Sequence, residues 1–89
     1  MYYAYVLLSL KSKRLYIGYT NDLKQRFEEH NKGQGGEYTS KNRPFKLVYY
    51  EAFLSKKDAG RQEKFYKTGY GREVLNEKIK NSLERLKDI

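Results

Sequence analysis

The chain has 89 residues, with 19 Lys and Arg against 11 Asp and Glu for a formal net charge of +8, and no cysteine. That length predicts one small domain spanning 1–89, hiding only about 60–65% of its unfolded surface, and the missing thiols exclude disulfide staples and Cys-based zinc centres. Excess cations beside ten tyrosines and four phenylalanines suit a surface that holds phosphates and stacks on bases; the alternative is tyrosines filling a small core with lysines keeping it in solution.

"YYAYVLLSL" (2–10) is rich in β-formers. It is too short for a membrane span and lacks both a basic leader and a cleavage-site pattern, so no signal peptide is expected and a cytoplasmic location fits. "RLYIGYT" (14–20) follows after "KSK", which predicts a hairpin. Alternation puts Tyr16, Gly18 and Thr20 on one face of the second strand, with Leu15, Ile17 and Tyr19 on the other. Glycine inside a strand costs roughly 0.5–1 kcal/mol relative to alanine. It marks the close approach of a ligand or another chain segment beside Tyr16; a β-bulge or a tight helix contact explains it equally well.

"TNDLKQRFEEHNK" changes period. Thr20, Asn21 or Asp22 can cap a helix whose apolar stripe is Leu23 and Phe27. Arg26 and His30 lie one above the other at the edge of that stripe. They can hold a phosphate oxygen and move a proton, or be a snorkelling Arg beside a half-buried His. The span 32–44, with three glycines and one proline, reads as a long mobile loop. "FKLVYYEAF" (45–53) predicts a third strand, and "SKKD" (55–58) starts a second helix that ends near Gly69 in a left-handed turn. Leu75, Ile79, Leu83 and Leu86 mark a last helix. The predicted order is ββαβαα, an α+β fold with a three-stranded sheet flanked by helices.

On the second helix Ala59, Gln62, Glu63 and Tyr66 share one face, so Glu63 occupies a place suited to an apolar side chain. A carboxylate there is paired, protonated or bound to a cation. It can serve Mg²⁺, which needs only one or two protein carboxylates, or pair with Arg61 or a lysine while Phe65 carries the packing. No Ser-His-Asp order, P-loop, zinc-ligand pair or dinucleotide fingerprint is present. What remains suits phosphodiester hydrolysis: a base, a phosphate clamp and a cation for the leaving oxygen.

The ordered set Tyr5-x(10)-Tyr16-x-Gly18-x(7)-Arg26-x(3)-His30, followed by the helix-borne Glu63, resembles the GIY-YIG nuclease superfamily. The likeness is to small stand-alone bacterial members and to the nuclease domain of an excinuclease, and it covers residues 2–85. Ala4-Tyr5-Val6 stands where Gly-Ile-Tyr gives the family its name. The resemblance implies a three-stranded antiparallel sheet and an endonuclease using Mg²⁺ or Mn²⁺. It implies Glu63 as metal ligand, Tyr16 as general base with Tyr5 orienting the water, Arg26 as the phosphate clamp and His30 assisting proton transfer. Either Tyr16 takes the proton directly or a metal-held hydroxide attacks and Tyr16 relays it. Gly18, Tyr19, Lys24, Lys41, Arg43 and Asn76 are candidate nucleic-acid contacts. Tyr19 stands where some relatives carry lysine, and Asn76 is the counterpart of a polar residue that follows the glutamate in some members. DNA is the expected substrate, with RNA left open, DNA repair or recombination the expected setting, and a protein partner or homodimer a source of specificity. The rival readings are a catalytically weak nucleic-acid-binding module of the same fold and a protein-interaction domain with a tyrosine contact surface.

Overall fold

Residues 1–87 are described by the structure, a computed structural model. The first β-forming run becomes β1 (Tyr2–Ser9), in which Ala4 to Ser9 are all buried. A strand covered on both faces must be central, and β1 lies between β2 (Leu15–Thr20) and β3 (Phe45–Phe53) in the order β2-β1-β3. Both pairings are antiparallel. The β1–β2 turn is organised by buried Ser9, whose hydroxyl accepts from the backbone of Lys11 and Ser12 and donates to the Asn42 carbonyl at 2.6 Å.

Four helices complete the chain: α1 (Leu23–Asn31), α2 (Glu37–Asn42), α3 (Lys56–Tyr66) and α4 (Gly69–Lys87). Asp22 caps α1 by accepting from the Gln25 N–H at 3.1 Å, and Ser55 caps α3 by accepting from Lys57. Alternation along the strands then divides the core in two. Val6 and Ile17 meet Tyr66, Leu75 and Ile79 on the α3–α4 side. Tyr5, Leu7 and Phe45 meet Tyr16, Leu23 and Phe27 on the α1 side. Burial of each large apolar side chain contributes about 1.5–3 kcal/mol, so this division is what clamps the sheet between the helices.

The α+β class and the three-stranded antiparallel sheet follow the sequence pattern, but the order is ββααβαα. The stretch 32–44 is not all loop: Gly33 at φ 81° and Gly36 at φ 115° turn the chain, and α2 forms directly after them. Gly69 is not a left-handed stop. Lys67 ends α3 in a right-handed conformation and Gly69 is the first residue of α4. Asp58 does not complete a capping box: Ser55 accepts from Lys57, and the Asp58 carboxylate accepts instead from Arg61 Nη2 at 3.4 Å. Among the described residues no helix is long and apolar enough to cross a membrane.

Candidate active site

Tyr5 and Gly18 are register partners on β1 and β2. Strand alternation points the Tyr5 ring to the α1 side, where Tyr16 projects from β2 and Phe45 from β3. The capped helix α1 lays Leu23 and Phe27 on that face and sets Arg26 and His30 one turn apart beside it.

The convergence is close. His30 is fully buried, and its Nε2 lies 2.8 Å from the Tyr5 hydroxyl. The Tyr16 ring meets the His30 ring edge-on at 5.0 Å between centroids and lies 6.5 Å from the Tyr5 ring. Tyr38 of α2 stacks on Tyr16 at 5.9 Å and is itself 41% exposed. Arg26 donates to Glu29 and to the Gly35 carbonyl, both at 3.4 Å. Contacts of that length are weak, so the guanidinium, about one third exposed, keeps donors for an anion.

Burial, with Tyr16 adding to it, pushes the Tyr5 hydroxyl up to about 12 against the pull of Arg26. Burial and then the Arg26 charge push His30 down to about 4, so the ring is neutral at pH 7. Its Nδ1 is buried without a hydrogen-bond partner among the described residues. A side chain at Gly35 would collide with that nitrogen. The orphaned atom is therefore sealed by backbone.

Glu63 comes from the other side of the sheet, on α3. Its carboxylate is only 12% exposed and accepts from Lys67 Nζ at 2.6 Å. Its charge is felt at the Tyr5 hydroxyl, which it raises further. No group of three or more His, Asp or Glu able to hold a metal occurs among the described residues. A fully protein-caged ion does not fit this donor set. A Mg²⁺ or Mn²⁺ that keeps most of its waters and takes one carboxylate does fit it, and the Lys67 ammonium already shows that a cation is accommodated there.

Outside this cluster a cleft of about 1120 Å³ opens beside Tyr16, walled by Tyr38, Lys67, Arg72 and Asn76, with Lys13, Arg14 and Lys46 at its rim. Asn76 thus lies within reach of the site. Gly18 does not offer the expected opening: the space beside Tyr16 is filled by the Tyr5 ring, whose hydroxyl would sit 2.5 Å from a Cβ at position 18. Its glycine serves a close approach within the chain, not of a ligand. Tyr19 points to the α3 side and covers Gly60. Lys24 is exposed on α1, Lys41 pairs with Glu37 at 2.9 Å, and Arg43 lies over Gly33, so these three are not gathered with the tyrosines.

Of the readings offered for Glu63, pairing with a lysine is the one the structure shows, and the i,i+4 spacing singles out Lys67. Sequence reasoning missed Tyr38, Gly35 and Arg72. Tyr38 and Gly35 lie in the glycine-rich stretch, where no periodicity says which side chain turns inward. A second polar cluster was also missed. On the α3–α4 side, Tyr66, Tyr49 and Gln62 all donate to the Glu51 carboxylate, with Lys78 at 3.7 Å.

The GIY-YIG catalytic domain family model matches residues 1–78. Among curated proteins, the UPF0213 protein YazA of Bacillus subtilis is 37% identical over 82 residues, covering 90% of this chain and 83% of that protein. A UPF0213 protein of Bacillus pumilus is 46% identical over 67 residues, covering 75% of this chain and 67% of its own length. The solution NMR structure of the UPF0213 protein BH0048 from Bacillus halodurans is 38% identical with a TM-score of 0.50, covering 84% of this chain and 82% of that one.

Proposed function

Because this chain belongs to the GIY-YIG catalytic-domain family, we propose that it is a metal-dependent endonuclease hydrolysing phosphodiester bonds in DNA. The observation that carries this reading is the packing of Tyr5, Tyr16 and His30 into one cluster, with Arg26 at its rim.

Roles follow from exposure and protonation. Tyr5 is 2% exposed with a hydroxyl pushed up to about 12, so it cannot give up its proton to serve as a base. It stays neutral, its hydroxyl held by His30, and positions the neighbouring Tyr16 ring rather than the water itself. Tyr16 borders the open cleft and is the tyrosine that water and substrate can reach; it takes or relays the proton of the attacking water. Arg26 supplies fixed positive charge to the phosphate as negative charge builds on its oxygens. Neutral His30 keeps the Tyr5 hydroxyl in place through the hydrogen bond they share at 2.8 Å. Glu63 would hold the divalent cation, which when bound supplies Lewis-acid charge for the leaving oxygen.

The cations around the cleft suit the flanking backbone of a nucleic acid. The test is cleavage of single-stranded, duplex, flap and four-way DNA and of RNA with Mg²⁺ or Mn²⁺. Metal-dependent cutting that Glu63→Ala abolishes is expected. Equal cutting by the two proteins overturns the reading, and salt-dependent binding with no cleavage selects the binding-module alternative.

A further inference from the structure

The Tyr16 cleft leaves a second group of cations on α3 unaccounted for. A second groove of about 440 Å³ is lined by Tyr19, Gly60 and the cations Lys56, Lys57, Arg61 and Lys64. All four cations are exposed. Arg61 is held by Asp58 at 3.4 Å, while Lys56, Lys57 and Lys64 have no acidic partner within ion-pair distance among the described residues. Exposed ammonium groups crowded without acids repel one another, which favours a bound polyanion.

The geometry relates this groove to Glu63. At about 100° per residue, Gly60 and then Lys64 follow Glu63 round α3, away from buried Ala59 and Tyr66. Lys67, one turn beyond Glu63, lines the other cleft with Tyr16. Along the helix axis Glu63 thus lies between Gly60 of this groove, one turn before it, and Lys67 of the other cleft, one turn beyond. Gly60 lets the Tyr19 ring lie flat on the helix: a Cβ there would meet Tyr19 Cζ at 3.6 Å. The ring thus forms a wall for the groove, 41% exposed.

We propose that this groove is a second nucleic-acid backbone site, which holds the strand on the opposite side of the cut from the Tyr16 cleft; this placement rests on the nuclease reading above. The groove binds phosphates through lysines without reading bases, and a productive substrate extends on both sides of the scissile bond.

The experiment combines Lys56→Ala, Lys57→Ala and Lys64→Ala in the Glu63→Gln protein. Binding of a labelled DNA oligonucleotide, single-stranded and duplex, is measured by anisotropy across a salt series. Loss of three phosphate contacts lowers affinity roughly tenfold or more at low salt and reduces the slope of log affinity on log salt by roughly two to three. Lys32→Ala, Lys80→Ala and Arg85→Ala, exposed cations outside both grooves, remove the same net charge and change both quantities much less. Equal effects of the two sets overturn the proposal. If wild type cleaves but the α3 set behaves like the control set, the groove alone is refuted. If nothing cleaves while the α3 set still governs the slope, the nuclease reading falls and the groove stands as a backbone site.

Discussion

The Tyr5 ring occupies the space that any side chain at Gly18 would need: a Cβ there would lie 2.5 Å from the Tyr5 hydroxyl and 2.7 Å from Cζ. Both contacts involve a buried ring whose hydroxyl is held by His30, so it has little room to yield. Gly18→Ala is expected to destabilise by about 1–3 kcal/mol in urea denaturation and to reduce cleavage by displacing that hydroxyl. In a Tyr5→Ala background the same substitution should cost far less. Additive costs in the double-mutant cycle would show that the two positions do not share this space.

Removing each tyrosine hydroxyl should separate the two roles. Tyr5→Phe leaves the buried His30 ring without its single partner, at a cost of roughly 1–3 kcal/mol, and lowers the rate as well. Tyr16→Phe borders open space, so stability should stay within about 0.5 kcal/mol while kcat falls roughly 10²–10⁴-fold. Paired denaturation and rate measurements check this, and a rate loss confined to Tyr5→Phe would reverse the assignment.

His30 makes stability depend on pH. Its folded value of about 4 lies below its ordinary 6.5, so the unfolded chain binds the proton more readily. Stability is fully present above 6.5 and is lost as pH falls toward 4. A chemical-denaturation series should show this slope in wild type, and His30→Phe should flatten it. An unchanged slope in that variant would place its origin elsewhere.

Glu51 acts lower on the scale and on the other face of the sheet. Burial alone would raise its carboxyl, but hydrogen bonds from Tyr66, Gln62 and Tyr49 outweigh it and hold the group below its usual range. Its contribution is present above the ordinary carboxylate value and is lost on further acidification. Glu51→Gln turns an amide donor toward donors and should cost roughly 1–3 kcal/mol, with specific activity preserved in the folded fraction. Loss of kcat without loss of stability would mean that the network serves catalysis.

Lys67 competes for the carboxylate that would hold the metal. Lys67→Ala should therefore tighten Mn²⁺ binding severalfold, read by calorimetry or by the metal's paramagnetic signal. Glu63→Ala should abolish the site in both backgrounds. No change on removing Lys67 would show that the ammonium does not occupy the ion's place.

Much was legible in the sequence because it depends on local spacing. Alternation in "LYIGYT" set Tyr16 and Gly18 on one face, a cap among Thr20, Asn21 and Asp22 opened α1, and Arg26 and His30 followed at one turn. Those short-range rules hold whatever the rest of the chain does. What fills the gap above Gly18, how deeply His30 is buried and which helix face Glu63 shares with a cationic groove are long-range questions. Only the antiparallel register brings Tyr5 over Gly18, only the packing of α1 and the Gly35 turn withdraws His30 from water, and only the seating of α3 against β2 places Tyr19 on Gly60. Sequence periodicity says which side chains face inward; it cannot say which of them meet, because that is decided by register and helix docking between residues far apart in the chain.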